Sequence, residues 1–282
     1  GIHINWARLV WRLQPFHPAS DGKLLSIWLQ AIFWPFTGTL WVARASTVLA
    51  ATVGFAAMLA FAYRLLTGMG PVLSGILYIV FPLTVFFDRM ALVDAVSASE
   101  VILLLYLTVH ATRSTSRRVG FLAGLILAVT LLTKLTNIVF IIVPLMGLLI
   151  LSTPEKRRLA VRQSAFIYLT AAALVLPTVA ILIYFGGSDL GFDLLIFKMG
   201  DWESGRLSSV RTSLLYIMEL LWIMGTPGLA VAILSGAALT LWNRKSLPLY
   251  LSSILVISTA ALVGRTEAGY IESRYLMVNA HI

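Results

Sequence analysis

The sequence predicts an all-α fold, a polytopic bundle of transmembrane helices with interfacial helices and outer loops, and three observations predict it. Of 282 residues, 59% are apolar and 12% are charged, against about 25% charged in soluble domains. The mean hydropathy is +0.92. The apolar residues fall in runs near the roughly 20 residues that a helix needs to cross the hydrocarbon core, rather than in the alternating segments of about ten residues that build outer-membrane barrels.

Spanning helices are predicted at about 40–63, 71–87, 95–111, 119–135, 137–152, 164–185, 213–241 and 248–264, with another beginning near 275. Residues 1–37 precede this bundle. Their run Leu24 to Phe36, "LLSIWLQAIFWPF", is too short to span and reads as a helix lying at the interface, with Trp28 and Trp34 at headgroup depth. The bundle then occupies 38–282, about eight spanning helices and the start of a ninth. The short join from Lys134 to Asn137 between two apolar runs implies a hairpin of helices. Residues 186–212 form the longest polar interruption and read as an outer loop, with Gly186, Gly187, Gly191, Gly200 and Gly205 for turns and Phe192, Phe197 and Trp202 as apolar anchors. The chain opens on Gly1 and closes inside a new apolar run, so it reads as a fragment.

Charge sets an orientation. Basic residues concentrate in cytoplasmic loops, and "RSTSRR" (113–118), "PEKRRLAVR" (154–162) and "NRK" (243–245) are taken as such loops, with Arg64 on the same side by alternation. Ten basic residues then share a side with one acid, Glu155, while nine of the twelve acids lie opposite. The chemistry is therefore expected on the non-cytoplasmic face of a multi-pass plasma or inner membrane protein. The bland alternative is that acids simply populate translocated loops, where they contribute little to topology. The net charge of +9 is explained by the same rule, because no basic stripe with interleaved aromatics appears on a soluble segment, and nucleic acid is excluded as a partner. With no cysteine and no paired-histidine spacing among His3, His17, His110 and His281, neither a thiolate nor a histidine metal site is signalled.

The charges that remain are few and worth weighing singly. "FFDRMALVDAVSASE" (86–100) clusters Asp88, Arg89, Asp94 and Glu100 between two apolar runs. Asp94 stands where a helix begins, so its carboxylate suits free backbone N–H groups there; Arg89 would pair with Asp88 or Asp94. Charges this close to hydrocarbon are costly, which favours function over decoration. Glu100 and Glu219 fall inside apolar helices and face the bundle interior or a wet cavity, either as hydrogen-bonded packing residues or as proton relays. Lys134 ends an apolar helix in "LLTKLTNI" and is expected to snorkel outward, with contact to a phosphate as the sharper alternative. "GMGP" (68–71) is a turn opening a helix at Pro71.

"DRMALVDAV" resembles the arginine, leucine and aspartate pattern in the second outer loop of protein O-mannosyltransferases and their bacterial relatives, the aminoarabinose transferases, all membrane glycosyltransferases of the GT-C class. Three further stretches follow the family's order. "DGKLLSIWLQAIF" (21–33) resembles its lysine-proline-proline-leucine segment, with Leu24 and Leu25 in place of the two prolines; "ARASTVLAATVG" (43–54) its arginine-bearing second helix; and "LLTKLTNIVFIIVPL" (131–145) its threonine-lysine helix end. The resemblance implies transfer of a sugar from a polyprenyl-phosphate donor to a protein, lipid or glycan acceptor at the non-cytoplasmic face. It also implies a catalytic aspartate in an acidic pair just before Gly1, so that the fragment alone would be inactive. Asp94 becomes the second acid, orienting acceptor or site, with Arg89 beside it. Lys23, Arg44 and Lys134 become candidates for the donor phosphate, and Asp21 either ligates a divalent metal, which the resemblance admits but does not require, or holds Lys23. A secondary transporter or lipid-linked-sugar flippase is the competing reading, resting on Glu100 and Glu219.

Overall fold

The computed structural model describes residues 2–12, 14, 23–33, 39–80, 84, 93–186 and 246–263. Among them every regular element is helical. In chain order they are α1 (Ile2–Trp11), α2 (Leu24–Ile32), α3 (Thr39–Leu65), α4 (Gly70–Val80), α5 (Val93–Arg113), α6 (Arg117–Thr133), a composite run α7 over 135–151, α8 (Arg157–Gly186) and α9 (Ser246–Val263). Three of them, α3, α5 and α8, contain stretches long and apolar enough to cross a membrane. The chain is a membrane helix bundle. The predicted run 213–241, the outer loop and the helix near 275 lie outside the described residues.

The centre of the bundle is α5. Of its apolar window 72% is buried, against 11% for α8, so α5 is surrounded by protein and α8 lies at the rim. Val101, Leu104, Leu105 and Val109 of α5 form one core with Phe61 of α3, Leu127 of α6, Ile167 of α8 and Tyr250 of α9. A helix packed on all sides needs no single apolar stripe, and its hydroxyls must find partners without water. Ser99 and Thr112 of α5 accordingly donate to the carbonyls of Ala95 and Val109, at 2.9 and 3.0 Å. The rim helices instead expose Leu49, Leu73, Ile76, Leu169 and Leu176, the surface a bilayer covers.

α6 and α8 approach closely because α6 carries glycine where they touch. A Cβ built on Gly124 would lie 2.6 Å from the carbonyl oxygen of Ile167 and 2.6 Å from the Cβ of Thr170. Gly120, one turn earlier, faces Gln163 and Phe166. This is the small-residue spacing that lets membrane helices pack backbone to backbone. Gln163 then donates from Nε2 to the carbonyls of Ser114 and Ser116, at 2.9 and 3.3 Å, tying the α5–α6 turn to α8.

α7 is irregular for a local reason. Pro144 has no N–H to give the carbonyl of Phe140, and the chain before it winds as a 3-10 helix over Leu135–Ile142; an α segment over Val143–Met146 and a π turn over Gly147–Leu151 follow. The Phe140 carbonyl accepts the Val143 N–H instead, and side chains of neighbouring helices donate to other carbonyls of the run. Tyr168 donates to Ile141 at 2.7 Å, Tyr250 to Val143 at 3.3 Å and Ser164 to Pro144 at 3.4 Å. From Ser164 to Tyr168 along α8 the partners step back along α7 from Pro144 to Ile141, so the two run antiparallel; α6 runs parallel to α8, with Gly120 and Gly124 against Gln163 and Ile167, so α6 and α7 form the hairpin expected at 134–137.

Of the run expected at 71–87, Gly70–Val80 is helical, and residues 81–83 and 85–87 lie outside the described residues. One element differs from the sequence reading. The helix expected to begin at 164 begins at Arg157, because its arginines keep their heads in water while the backbone stays helical. α1 and α2 form a small satellite in which Trp11 donates to the Ala31 carbonyl at 2.6 Å and Ala7, Ile27 and Ala31 are buried. α2 also packs against α3 and α6.

Candidate active site

One end of the bundle gathers the start of α5, the end of α6 and the start of α7, because α5 and α6 run antiparallel and α7 turns back at once. α6 stops at Thr133, and Lys134 takes an extended conformation (φ −152°, ψ 125°). In a continuing helix the Lys134 N–H would serve the carbonyl of Thr130. Here the side chain of Asn137 does so instead, its Nδ2 donating to that carbonyl at 2.8 Å. The Asn137 backbone N–H donates to the Lys134 carbonyl at 2.9 Å, closing the first turn of α7.

α5 supplies the opposing face. Asp94, Ser97 and Glu100 recur every three residues and so share a side of the helix, and each meets the break. Lys134 Nζ donates to Asp94 Oδ1 at 2.5 Å. Ser97 Oγ donates to Asn137 Oδ1 at 2.9 Å, which fixes the orientation in which Asn137 reaches Thr130. Thr133 Oγ1 donates to Glu100 Oε1 at 2.7 Å. Glu100 Oε2 is shut off from solvent and accepts no hydrogen bond among the described residues.

The ion pair is well shielded. The side chains of Lys134 and Asp94 are 15% and 10% exposed, so neither charge is screened as a surface pair would be. Asp94 lies in the first turn of α5, inside the helix rather than at its cap, where the helix dipole also favours its negative charge. Lys134 does not snorkel away as its position at a helix end suggested. Asp94 offers it a partner at the same depth, and pairing outweighs hydration there.

The other candidates are placed as follows. Lys23 is half-buried immediately before α2, and its carbonyl accepts from Ser26 Oγ at 3.0 Å. Arg44 is an exposed residue on α3. Arg89, Asp21 and Glu219 lie outside the described residues. No three His, Asp or Glu side chains come together among the described residues, and Asp21, the metal candidate, is not among them. Asn137 and Ser97 are the site residues that sequence reasoning missed. Asn137 was read only as the edge of a join; its signal is an amide three residues beyond a helix-ending lysine, at the place where an unpaired carbonyl needs a donor.

Of the two readings of Glu100, the hydrogen bond from Thr133 fits that of a packing residue.

At the opposite end of α5, Arg64 of α3 lies 5.1 Å over the Tyr106 ring, and its Nη2 is 3.4 Å from His110 Nδ1. Arg64 and the 113–118 turn therefore share one end of the bundle, away from Asp94 and Lys134.

No curated protein and no solved structure matches the chain. A family profile described as dolichyl-phosphate-mannose-protein mannosyltransferase matches residues 17–185, more than half of the chain, including α2 to α7, α8 but for its last residue, and both Asp94 and Lys134. The chain belongs to the dolichyl-phosphate-mannose-protein mannosyltransferase family, and is a membrane glycosyltransferase of the GT-C type.

Proposed function

We propose that the protein transfers a sugar from a polyprenyl-phosphate donor to an acceptor hydroxyl at the non-cytoplasmic face of the plasma or inner membrane, with Asp94 and Lys134 as the polar centre of its site. The observation that supports this reading most is the shielded Lys134–Asp94 pair. It lies at the end of the bundle remote from Arg64, Arg113, Arg117 and Arg118, and charge distribution gives that basic end to the cytoplasm.

The reaction needs a nucleophile, a departing phosphate and somewhere for a proton to go. An acceptor oxygen forms a bond to the anomeric carbon while the bond from that carbon to the phosphate oxygen breaks. The acceptor proton passes to a carboxylate, and polyprenyl phosphate leaves with the electron pair. Base assistance contributes about 10²–10⁴-fold, and stabilising the departing phosphate contributes at least as much. Asp94 orients the acceptor and holds the Lys134 ammonium at the membrane edge. Lys134 supplies positive charge where the phosphate charge develops. Ser97, Asn137, Thr133 and Glu100 act as positioning residues, since together they fix where α6 ends and hence where Lys134 stands.

The donor class is tested by presenting the full-length protein in nanodiscs with polyprenyl-phosphate monosaccharides and, separately, with the matching nucleotide sugars. Label is expected to move to acceptor from the lipid-linked donors alone. Transfer from nucleotide sugars at an equal rate would overturn the donor assignment.

A further inference from the structure

The end of the bundle away from Asp94 carries a second feature. Pro154, Arg157, Arg158, Val161 and Arg162 line an open pocket of about 510 Å³ at the start of α8, a size in the range of roughly 300–1,000 Å³ common for small-ligand clefts. All three arginines are exposed, and none has a carboxylate within ion-pair distance among the described residues. The one acid in the segment 154–162 is Glu155, which does not line the pocket.

The rest of α8 says what such a pocket would face. Val161, Leu169, Leu176 and Ile183 are exposed, and their spacing of seven or eight residues places them on one face of the helix. Arg158 and Arg162 fall on that face, at its foot, since Leu169 follows Arg162 by the same seven residues and Val161 follows Arg158 by three. An acyl chain lying along this stripe would bring its headgroup to the two guanidinium groups. The surrounding field has the same sign, because Gln163 ties α8 to the carbonyls of Ser114 and Ser116, bringing the turn with Arg113, Arg117 and Arg118 to this end.

We infer that the pocket of Arg157, Arg158 and Arg162 binds the headgroup of an anionic phospholipid from the leaflet on the basic side, with its chains along Val161, Leu169 and Leu176. Guanidinium forks match phosphate oxygens two at a time, and basic pockets at this depth of a bundle suit anionic headgroups. Arginines that merely set orientation would attract anionic lipid by about 1 kcal/mol each near the surface, with no dependence on which arginines of this end are removed.

The test is native mass spectrometry of the full-length protein released from mixed vesicles holding equal phosphatidylglycerol and phosphatidylcholine, paired with thermal unfolding in detergent plus either lipid or sodium phosphate. Phosphatidylglycerol is expected to be retained at least about fivefold over phosphatidylcholine and to raise the unfolding midpoint. The double variant R158Q/R162Q abolishes the preference, whereas R113Q/R117Q, at the same end but outside the pocket, keeps most of it. Should the double variant fail to fold, the single variants Arg158→Gln and Arg162→Gln each lower retention at least about twofold. Equal retention of the two lipids, or retention unchanged in the pocket variants, overturns the inference. So does protection by millimolar sodium phosphate equal to that of the lipid, which would mark a site for free phosphate.

Discussion

At the scale of single residues, the account rests on what happens when one partner of a shielded contact is removed. Lys134→Met leaves the Asp94 carboxylate unpaired, a change that costs about 3–5 kcal/mol when an ion pair is buried. Adding Asp94→Asn recovers much of that stability, because two neutral groups in contact carry little desolvation penalty, yet the double variant does not recover transfer. A double-mutant cycle of unfolding midpoints in detergent reads the coupling directly; additive effects would mean that the 2.5 Å contact carries no energy. Asn137→Ala strips the Thr130 carbonyl of its donor inside the bundle, a loss of about 1–3 kcal/mol, and is expected to lower transfer as well by freeing the end of α6. The same cycle format checks it against Ser97→Ala, whose effect should largely disappear once Asn137 is gone. The sequence made Asp94 and Lys134 visible because each is a charge in an apolar setting. It did not show that they meet, since they are forty positions apart, with nearly all of α5 and the whole of α6 between them, and an amide such as Asn137 gives no comparable signal.

At the scale of elements, helix positions were legible and helix character less so. Apolar runs fixed α3, α5, α6 and α9 to within a few residues because hydrocarbon thickness sets their length. The early start of α8 was hidden, since Arg157, Arg158 and Arg162 look like loop residues by composition while remaining compatible with a helix. The irregular winding of α7 follows from Pro144, but only the tertiary structure shows Tyr168, Tyr250 and Ser164 donating to the carbonyls of Ile141, Val143 and Pro144. The close approach of α6 and α8 was written in Gly120 and Gly124, a pattern that acquires meaning once a partner helix is known. Gly124→Val should therefore force the helices apart at the Ile167 carbonyl, at about 1–3 kcal/mol, measured as a lower unfolding midpoint. An unchanged midpoint would show that the interface yields without cost.

At the scale of the whole molecule, the chain sorts its charge by end, with the shielded Asp94–Lys134 pair at one and an arginine-rich surface at the other. The absence of cysteine makes this arrangement accessible to labelling. A cysteine at Thr115 should react with a membrane-impermeant maleimide only from the cytoplasmic side, and one at Ser208 only from the opposite side; labelling of both from one side would contradict the orientation. The family match shows a membrane glycosyltransferase; the chemistry and the non-cytoplasmic face of the Asp94 end belong to the proposal, which rests on the charge distribution. The most direct measurement is transfer of labelled sugar from a polyprenyl-phosphate donor by the full-length protein and by its Asp94→Asn variant, both shown to be folded by unchanged elution from a sizing column. The account predicts a loss of about 10²-fold or more in the variant. Transfer by Asp94→Asn at close to the unaltered rate would contradict it.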